Sequence, residues 1–337
     1  MMKTFRFVLC ALALSLSIAA QAVDWIPDYL GGGLEMRYVN QGKDYSGPVR
    51  CTLVRLMSPC AREYSPTRGV LYVHGFNDYF FQKEMAERFA DKCYDFYAVD
   101  LRKYGRSIEP GNKIFEVRNL KEYFADIDSA IASMKSSGIE NIILMGHSTG
   151  GLIATYYMLL NPDAPVDAMI LNSPFLDWNL GKLEKIVPAV AAVGAVFPNI
   201  RIRQGDSTVY SSSLSKSGHG EWEFNPQWKL LRSPDVTAGW VRAIDKAQRA
   251  IRKRPYAIHI PVLLMYSAAS YDGDKWSPEA QREDAVLDVN DIRGIGMKLG
   301  TDVTAIKVNG GMHDLILSRP QVRDAVYDYM FHWLRNK

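Results

Sequence analysis

Cysteine is scarce: the 337 residues hold four, Cys10, Cys51, Cys60 and Cys93. No Cys/His cluster has zinc-ligand spacing, which excludes a fold built on structural zinc. An excess of one charge is missing as well. Lys and Arg number 40 against 37 Asp and Glu, for a formal net charge of +3. The basic residues are scattered, so nucleic acid is excluded as a partner. The stretch poorest in acid, Ile200 to Arg203, carries only two arginines and reads as a solvated turn. Past the N-terminus no apolar run is long enough for a membrane span. There is no internal repeat and no low-complexity tract.

What is there begins with an export pattern. Lys3 and Arg6 precede an apolar stretch from Phe7 to Ala20, and Ala20-Gln21-Ala22 supplies a small-x-small cleavage site. This predicts a signal peptide over 1–22, cut after Ala22, and a periplasmic or secreted protein. The alternative is an uncleaved membrane anchor. Cys10 lies inside the apolar run rather than after it, which speaks against a lipoprotein. An oxidising compartment would permit one disulfide among Cys51, Cys60 and Cys93. Cys51 and Cys60 are the expected pair, with three reduced cysteines as the alternative.

Val23 to Pro48 reads as irregular, broken at Gly31-Gly32-Gly33. After it, alternation at Val49–Leu56 and apolar runs at Gly69–Val73, Phe96–Asp100, Asn141–Met145 and Ala168–Leu171 read as strands. Helical spacing over Phe81–Lys92, Leu120–Met134 and Gly150–Leu160 separates them. Alternation at this spacing predicts a mainly parallel sheet flanked by helices on both faces. The rhythm breaks from 174 to 254, where Leu180–Val196 and Val236–Ile251 are helical, and is read as a helical insertion. Strands at Ile260–Tyr266 and Val303–Val308 and helices at Asp288–Leu299 and Gln321–Arg335 complete the core. The expected division is therefore 23–173 and 255–337 for the core, and 174–254 for a cap.

The strongest motif is Gly146-His147-Ser148-Thr149-Gly150, a G-x-S-x-G match after an apolar strand and before a helix. A serine on so sharp a turn needs small neighbours, and Gly151 is expected to let the helix pack close to the strand. Ser148 is the candidate nucleophile. A hydroxyl is a poor nucleophile until a base takes its proton. Of six histidines, only His313 sits in a loop just after the last strand, where that base is required. The oxyanion donors are expected to be the backbone N–H groups of Thr149 and of Phe76, after His74-Gly75.

These residues resemble the α/β-hydrolase superfamily, more narrowly its monoacylglycerol lipase and lysophospholipase group. The resemblance rests on His74-Gly75-Phe76, on Asp100 to Ser107, on Gly146 to Gly151 and on Gly311-Met312-His313. Asp100 to Ser107 is similar to the group's D-x-R-G-x-G-x-S loop, with Lys103 in place of the first glycine. The resemblance implies an inserted lid, a Ser-Asp-His order, no cofactor and no resident metal. It also implies an acid soon after the strand ending at Tyr266, yet Ser267-Ala268-Ala269-Ser270 holds no carboxylate. Asp284-Ala285-Val286-Leu287-Asp288 resembles the acid-bearing stretch displaced by an insertion. Asp284 is therefore taken first, then Asp288, then Asp272.

The implied activity is hydrolysis of carboxylic esters through an acyl-enzyme, on monoacylglycerol-like, lysophospholipid-like or other acyl esters. Leu183, Ile186, Val187, Val190, Val193 and Val196 either line an acyl pocket or pack the cap on the core. Two other readings stand beside it. A prolyl-aminopeptidase-type peptidase needs a carboxylate-lined cap, for which Glu184, Glu221 and Glu223 are available. A non-catalytic binding protein of the same fold is the other. Haloalkane dehalogenation is disfavoured, since it uses a carboxylate where this chain has Ser148. The partner is a small ester or lipid; transient contact with a membrane or micelle surface and the oligomeric state are left open.

Overall fold

The computed structural model of the chain describes residues 24–60, 67–205 and 207–337. The export signal expected over 1–22 lies outside the described residues.

Among the described residues nine strands form one sheet in the order β1-β2-β3-β5-β4-β6-β7-β10-β11. They are β1 (Ile26–Pro27), β2 (Glu35–Asp44), β3 (Gly47–Leu56), β4 (Arg68–Val73), β5 (Tyr94–Asp100), β6 (Asn141–His147), β7 (Ala168–Asn172), β10 (Val262–Ser267) and β11 (Val303–Val308). From β5 to β11 every pairing is parallel; β1, β2 and β3 add an antiparallel edge. A short ribbon, β8 (Arg201–Ile202) with β9 (Val236–Thr237), lies outside the sheet.

The central strands β4, β6, β7 and β10 read as nearly continuous apolar runs because both faces are covered. On β6, Ile142 and Leu144 face one core with Val236 and the helices α2 (Phe124–Ser136), α3 (Thr149–Leu160) and α6 (Ala238–Arg252). Ile143 and Met145 face the opposite core with α1 (Lys83–Asp91) and α8 (Pro320–Arg335). Helix α7 (Val289–Gly296) joins β10 to β11, and α4 (Val187–Val196) and α5 (Val209–Leu214) lie between β7 and β10.

Strand order turns back on itself at β4, with β5 on one side and β6 on the other. The crevice beyond the carboxyl ends of β4 and β6 is where an open α/β sheet binds its ligands.

The structure corrects three expectations. The segment read as irregular over Val23–Pro48 contains β1 and β2. Strand β2 was illegible because its residues, Glu35 to Asp44, are mostly polar and none is fully buried. Its pairing with β3 slips between Asn40 and Lys43. Ile200–Arg203 is no solvated turn, since Arg201 and Ile202 pair with Thr237 and Val236.

The disulfide joins Cys60 to Cys93, not Cys51 to Cys60. Antiparallel pairing sets Leu56 of β3 opposite Phe96 of β5. Chain continuing past β3 therefore meets chain approaching β5, and Ser58 N–H donates to Asp95 there at 2.8 Å. Cys51 points into the core as a free, fully buried thiol. Burial pushes its thiol well above the ordinary range.

Candidate functional site

Ser148 stands between β6 and α3 at φ 51°, ψ −118°, a strained conformation for a residue with a Cβ. The turn is held from outside, as Ser148 N–H donates to Asn172 O at 3.0 Å. Gly150 has no room for a side chain. A Cβ there would lie 2.2 Å from Val73 O and 2.4 Å from His74 O. The motif's second glycine thus lets α3 start hard against the end of β4.

Ser148 Oγ lies 3.0 Å from His313 Nε2, and His313 Nδ1 lies 2.9 Å from Asp284 Oδ2. A carboxylate only accepts, so Nδ1 donates to it and Nε2 is left to accept the serine proton. The other carboxylate oxygen accepts from Val286 and Leu287 N–H at 2.9 and 2.8 Å. Asp284 is fully buried, and three of its carboxylate's four acceptor directions are taken by these contacts.

Asp284 reaches this place through a detour. After β10 the chain leaves at Tyr271 and returns at Asp284, where the excursion is closed by a bridge to Ser270. Asp284 N–H donates to Ala269 O and Tyr271 N–H to Asp284 O, both at 2.8 Å. The carboxylate so arrives directly beyond β10 despite standing far along the sequence. The other two carboxylates sit elsewhere. Asp288 accepts from Asn290 N–H as the N-cap of α7, and Asp272 is exposed on the excursion.

The loop after β4 faces Ser148 directly. A Cβ on Gly75 would be 3.2 Å from that of Ser148. His74 is fixed as a neutral ring: Nδ1 donates to Gly75 O at 2.8 Å and Nε2 accepts from Leu101 N–H at 3.1 Å. Burial depresses its pKa. Thr149 is the first residue of α3, so its N–H has no acceptor within the helix. Phe76 and Thr149 both border the cavity in front of Ser148.

Support comes from the loop at Asp100. Its carboxylate accepts from Phe80 N–H, Arg106 N–H and the Arg106 guanidinium. Lys103, which replaces a glycine of the resembling pattern, adopts φ 65°. Its buried ammonium is paired with Asp44 at 2.6 Å and lies over the Tyr45 ring.

A cavity of about 660 Å³ opens from Ser148 and His313 into the segment between β7 and β10. Leu183, Ile186, Val187 and Val190 line it, together with Trp178 and Trp240. Val193 and Val196 do not; they are exposed on the far side of α4. Arg203 and Ile202 also border the cavity. Glu184, Glu221 and Glu223 are absent from its lining. Glu221 is paired with Arg323 and Glu223 with Lys216. Among the described lining residues the one carboxylate is Asp78, buried against Lys229 at 2.8 Å. Burial works to raise the Asp78 pKa, but the Lys229 ammonium holds it below the usual carboxylate range.

Three supporting residues escaped the sequence reading. Asn172 ends β7 and ties two loops: its carbonyl receives Ser148 N–H, while its amide donates to Asp314 at 2.7 Å. A polar residue closing an apolar strand was the available signal. Asp78 and Lys229 carried none, being 151 positions apart. Among the described residues no group of three or more His, Cys, Asp or Glu could hold a metal ion. No described helix is long and apolar enough to cross a membrane.

A family model described as serine aminopeptidase, S33, matches residues 64–317. The AB hydrolase superfamily protein YisY of Bacillus subtilis is 34% identical over 108 residues, which is 32% of this chain and 37% of that protein. The match thus spans little more than a third of that relative. Among solved structures, a monoacylglycerol lipase from Paleococcus ferrophilus superposes with a TM-score of 0.61 at 20% identity, over 84% of this chain and 97% of that one. A soluble variant of monoglyceride lipase from Saccharomyces cerevisiae, bound to a substrate analog, gives 0.64 at 16% identity, over 88% and 94%. At such identities the likeness establishes the α/β-hydrolase fold.

Proposed function

The chain belongs to the serine aminopeptidase S33 family of α/β-hydrolases, and from that premise we propose that it hydrolyses carboxylic esters through an acyl-enzyme on Ser148. The observation that carries this reading is the unbroken hydrogen-bonded row Ser148–His313–Asp284 opening on an apolar cavity. In the proposed reaction Ser148 Oγ attacks the ester carbonyl while His313 Nε2 takes its proton. Asp284 orients the ring and stabilises the imidazolium. The Phe76 and Thr149 N–H groups receive the developing oxyanion. His313 then protonates the leaving alcohol, and water releases the acid by the same path.

The cavity favours an acyl chain. Its walls are aliphatic and aromatic, and its volume lies in the range of small-molecule sites. Monoacylglycerol-like, lysophospholipid-like or other acyl esters fit that description. Leu183, Ile186 and Leu231 border the cavity and are also exposed, which supports transient contact with a membrane or micelle surface.

The family's description favours one second reading, a peptidase that holds a free amine. Against it, the lining carboxylate Asp78 is already neutralised by Lys229. Assay of p-nitrophenyl esters of graded acyl length beside an aminoacyl arylamide separates the two. We expect ester turnover, lost about a million-fold in Ser148→Ala, and labelling of the wild type by a fluorophosphonate. Arylamide turnover without ester turnover would establish the peptidase. Silence on both substrates and the probe would leave the binding-protein reading.

Export with removal of residues 1–22 is part of the proposal, supported by the Cys60–Cys93 disulfide. The intact mass of the exported protein should lack those residues and two cysteine hydrogens.

A further inference from the structure

The loop that carries the Phe76 N–H is tied to the insertion over its next three residues, of which Tyr79 also accepts from the Tyr29 hydroxyl at 3.1 Å on the sheet side. Strand β4 ends at Val73 and α1 begins at Lys83. Asn77 donates its amide to Leu230 O and accepts from Leu230 N–H, both at 2.8 Å. Asp78 accepts from the Lys229 ammonium at 2.8 Å. The Tyr79 hydroxyl accepts from Asn225 N–H at 2.8 Å, and its ring meets Trp228 edge-on. All these partners lie on one strap, residues 225–230, which has no helix or strand of its own.

Asn77 has φ 50°, a left-handed conformation that persists only where neighbours enforce it. The reciprocal amide bonds to Leu230 do so. The Phe76 ring is held separately, against Phe115 and Trp240, but that anchors its side chain and not the Gly75–Phe76 peptide. The one charged tie among them is the ion pair. Asp78 and Lys229 are both buried, so removing either charge strands the other in a poorly solvated place.

We infer that Lys229 is a positioning residue: through Asp78 it clamps the loop after β4 so that the Phe76 N–H points at the oxyanion. This rests on the ester-hydrolase reading. Lys229 acts on the donor's placement and touches no reacting atom. A donor displaced by about 1 Å loses about 10²-fold in rate.

The test uses the exported, disulfide-bonded protein. Wild type, Lys229→Met, Lys229→Arg and the charge-free pair Asp78→Asn/Lys229→Met are compared on the best p-nitrophenyl ester. Lys216→Met, at an exposed ion pair, is the control. Turnover is normalised to active sites counted by the p-nitrophenol burst, so a partly folded preparation does not count as slow. We expect kcat to fall about 10²-fold in Lys229→Met, with KM within about threefold. Affinity for an alkylboronic acid, whose serine adduct is tetrahedral, should fall by a similar factor. Lys229→Arg should recover most of the loss.

Should Lys229→Met fail to fold, the charge-free pair carries the same expectation. An active wild type matched in kcat per site by Lys229→Met, or by the charge-free pair, overturns the inference alone. So does a rise in KM with kcat unchanged, which would make Lys229 a substrate contact. A wild type inert to every ester and to the fluorophosphonate overturns the ester reading, and this inference with it.

Discussion

The sheet and the segment inserted between β7 and β10 are held together by different means. In the sheet, successive side chains of one strand enter opposite cores, and on β6 Ile142, Leu144 and Met145 are wholly buried. In the insertion, α4 is apolar on all sides but buries only Val187, Ala191 and Gly194. That stripe lies on α6 so closely that a Cβ on Gly194 would be 2.1 Å from Ala238 O. Apart from half-buried Val190, the rest of α4 is exposed, and Val196 and the C-cap Phe197 are among the most exposed apolar side chains. Helix α6 joins the sheet's core through Ala243, Ile244, Ala247 and Ile251. The chain between β8 and β9, by contrast, is attached largely by polar and aromatic ties to two loops, the one after β4 and the excursion before Asp284. A scaffold set by strand register thus carries Ser148, His313 and Asp284, while a loosely packed roof touches the loops beside them.

The largest test of this contrast removes a group held by the scaffold. Asp284→Asn should lower kcat about 10⁴-fold, because the amide favours the wrong tautomer of His313 while leaving the fold intact. Asp272→Asn should leave kcat unchanged. Asp288→Asn should also spare kcat, as it touches only the cap of α7. Steady-state kinetics on all three decide whether proximity in space or in sequence to β10 names the acid.

Next in size is the staple on the sheet's antiparallel side. Cys60 and Cys93 are 33 residues apart, and opening that loop should cost about 3–4 kcal/mol. Urea unfolding of Cys60→Ser/Cys93→Ser measures it. With ester turnover per folded molecule unchanged, the loss would be one of stability alone, as expected for a bond distant from the roof.

Two buried histidines set a pH limit on the scaffold. Burial lowers the pKa of His74 and of His147, whose ring packs against His313, below the ordinary 6.5. The unfolded chain then binds protons that the folded one refuses. The stability these rings contribute is complete above about pH 6.5 and is lost as pH falls from there through their folded values. Each contributes a slope of at most about 1.4 kcal/mol per pH unit. Urea unfolding between pH 7 and pH 5 should show it, and His147→Gln should flatten it. A slope of the opposite sign would mean that the rings are charged in the folded state.

The same contrast explains what could be read from the sequence. Strand β3 was legible by its alternation, strands β4 to β7 because burial on both faces writes apolar runs, and the turn at Ser148 because it demands glycine at a fixed offset. His313 followed from its place after the last strand. Strand β2 was not legible, since a half-exposed strand near the sheet's margin has no apolar alternation to show. The Cys60–Cys93 pair needed the knowledge that β3 lies beside β5, which is a fact of topology. Asp284 was found by its surroundings but stood beside two rivals, because only the bridge at Ser270 closes the detour that brings it home. The Asp78–Lys229 pair joins a sheet loop to the roof across 151 positions, and neither local periodicity nor motif marks it.

The smallest effect belongs to the roof's second attachment. On the excursion, Trp276 stacks on His219 with ring centres 3.4 Å apart and donates to Ser213 Oγ at 3.1 Å. Gln281 donates to Ser213 O at 3.1 Å and to His219 O at 2.6 Å. These contacts tie the excursion to α5 and the loop after it. The base of the excursion, however, is pinned independently by the Ser270–Asp284 bridge and by Asp284's own bonds to Val286 and Leu287. Trp276→Ala should therefore cost about 1 kcal/mol of stability from the lost ring contact. It should leave kcat near the wild-type value, unlike Lys229→Met. Hydrogen exchange should quicken in residues 209–219 and not at Leu287. A kcat loss comparable to that of Lys229→Met would show instead that the roof aims the acid as well as the oxyanion donor, and that the scaffold alone does not hold Asp284.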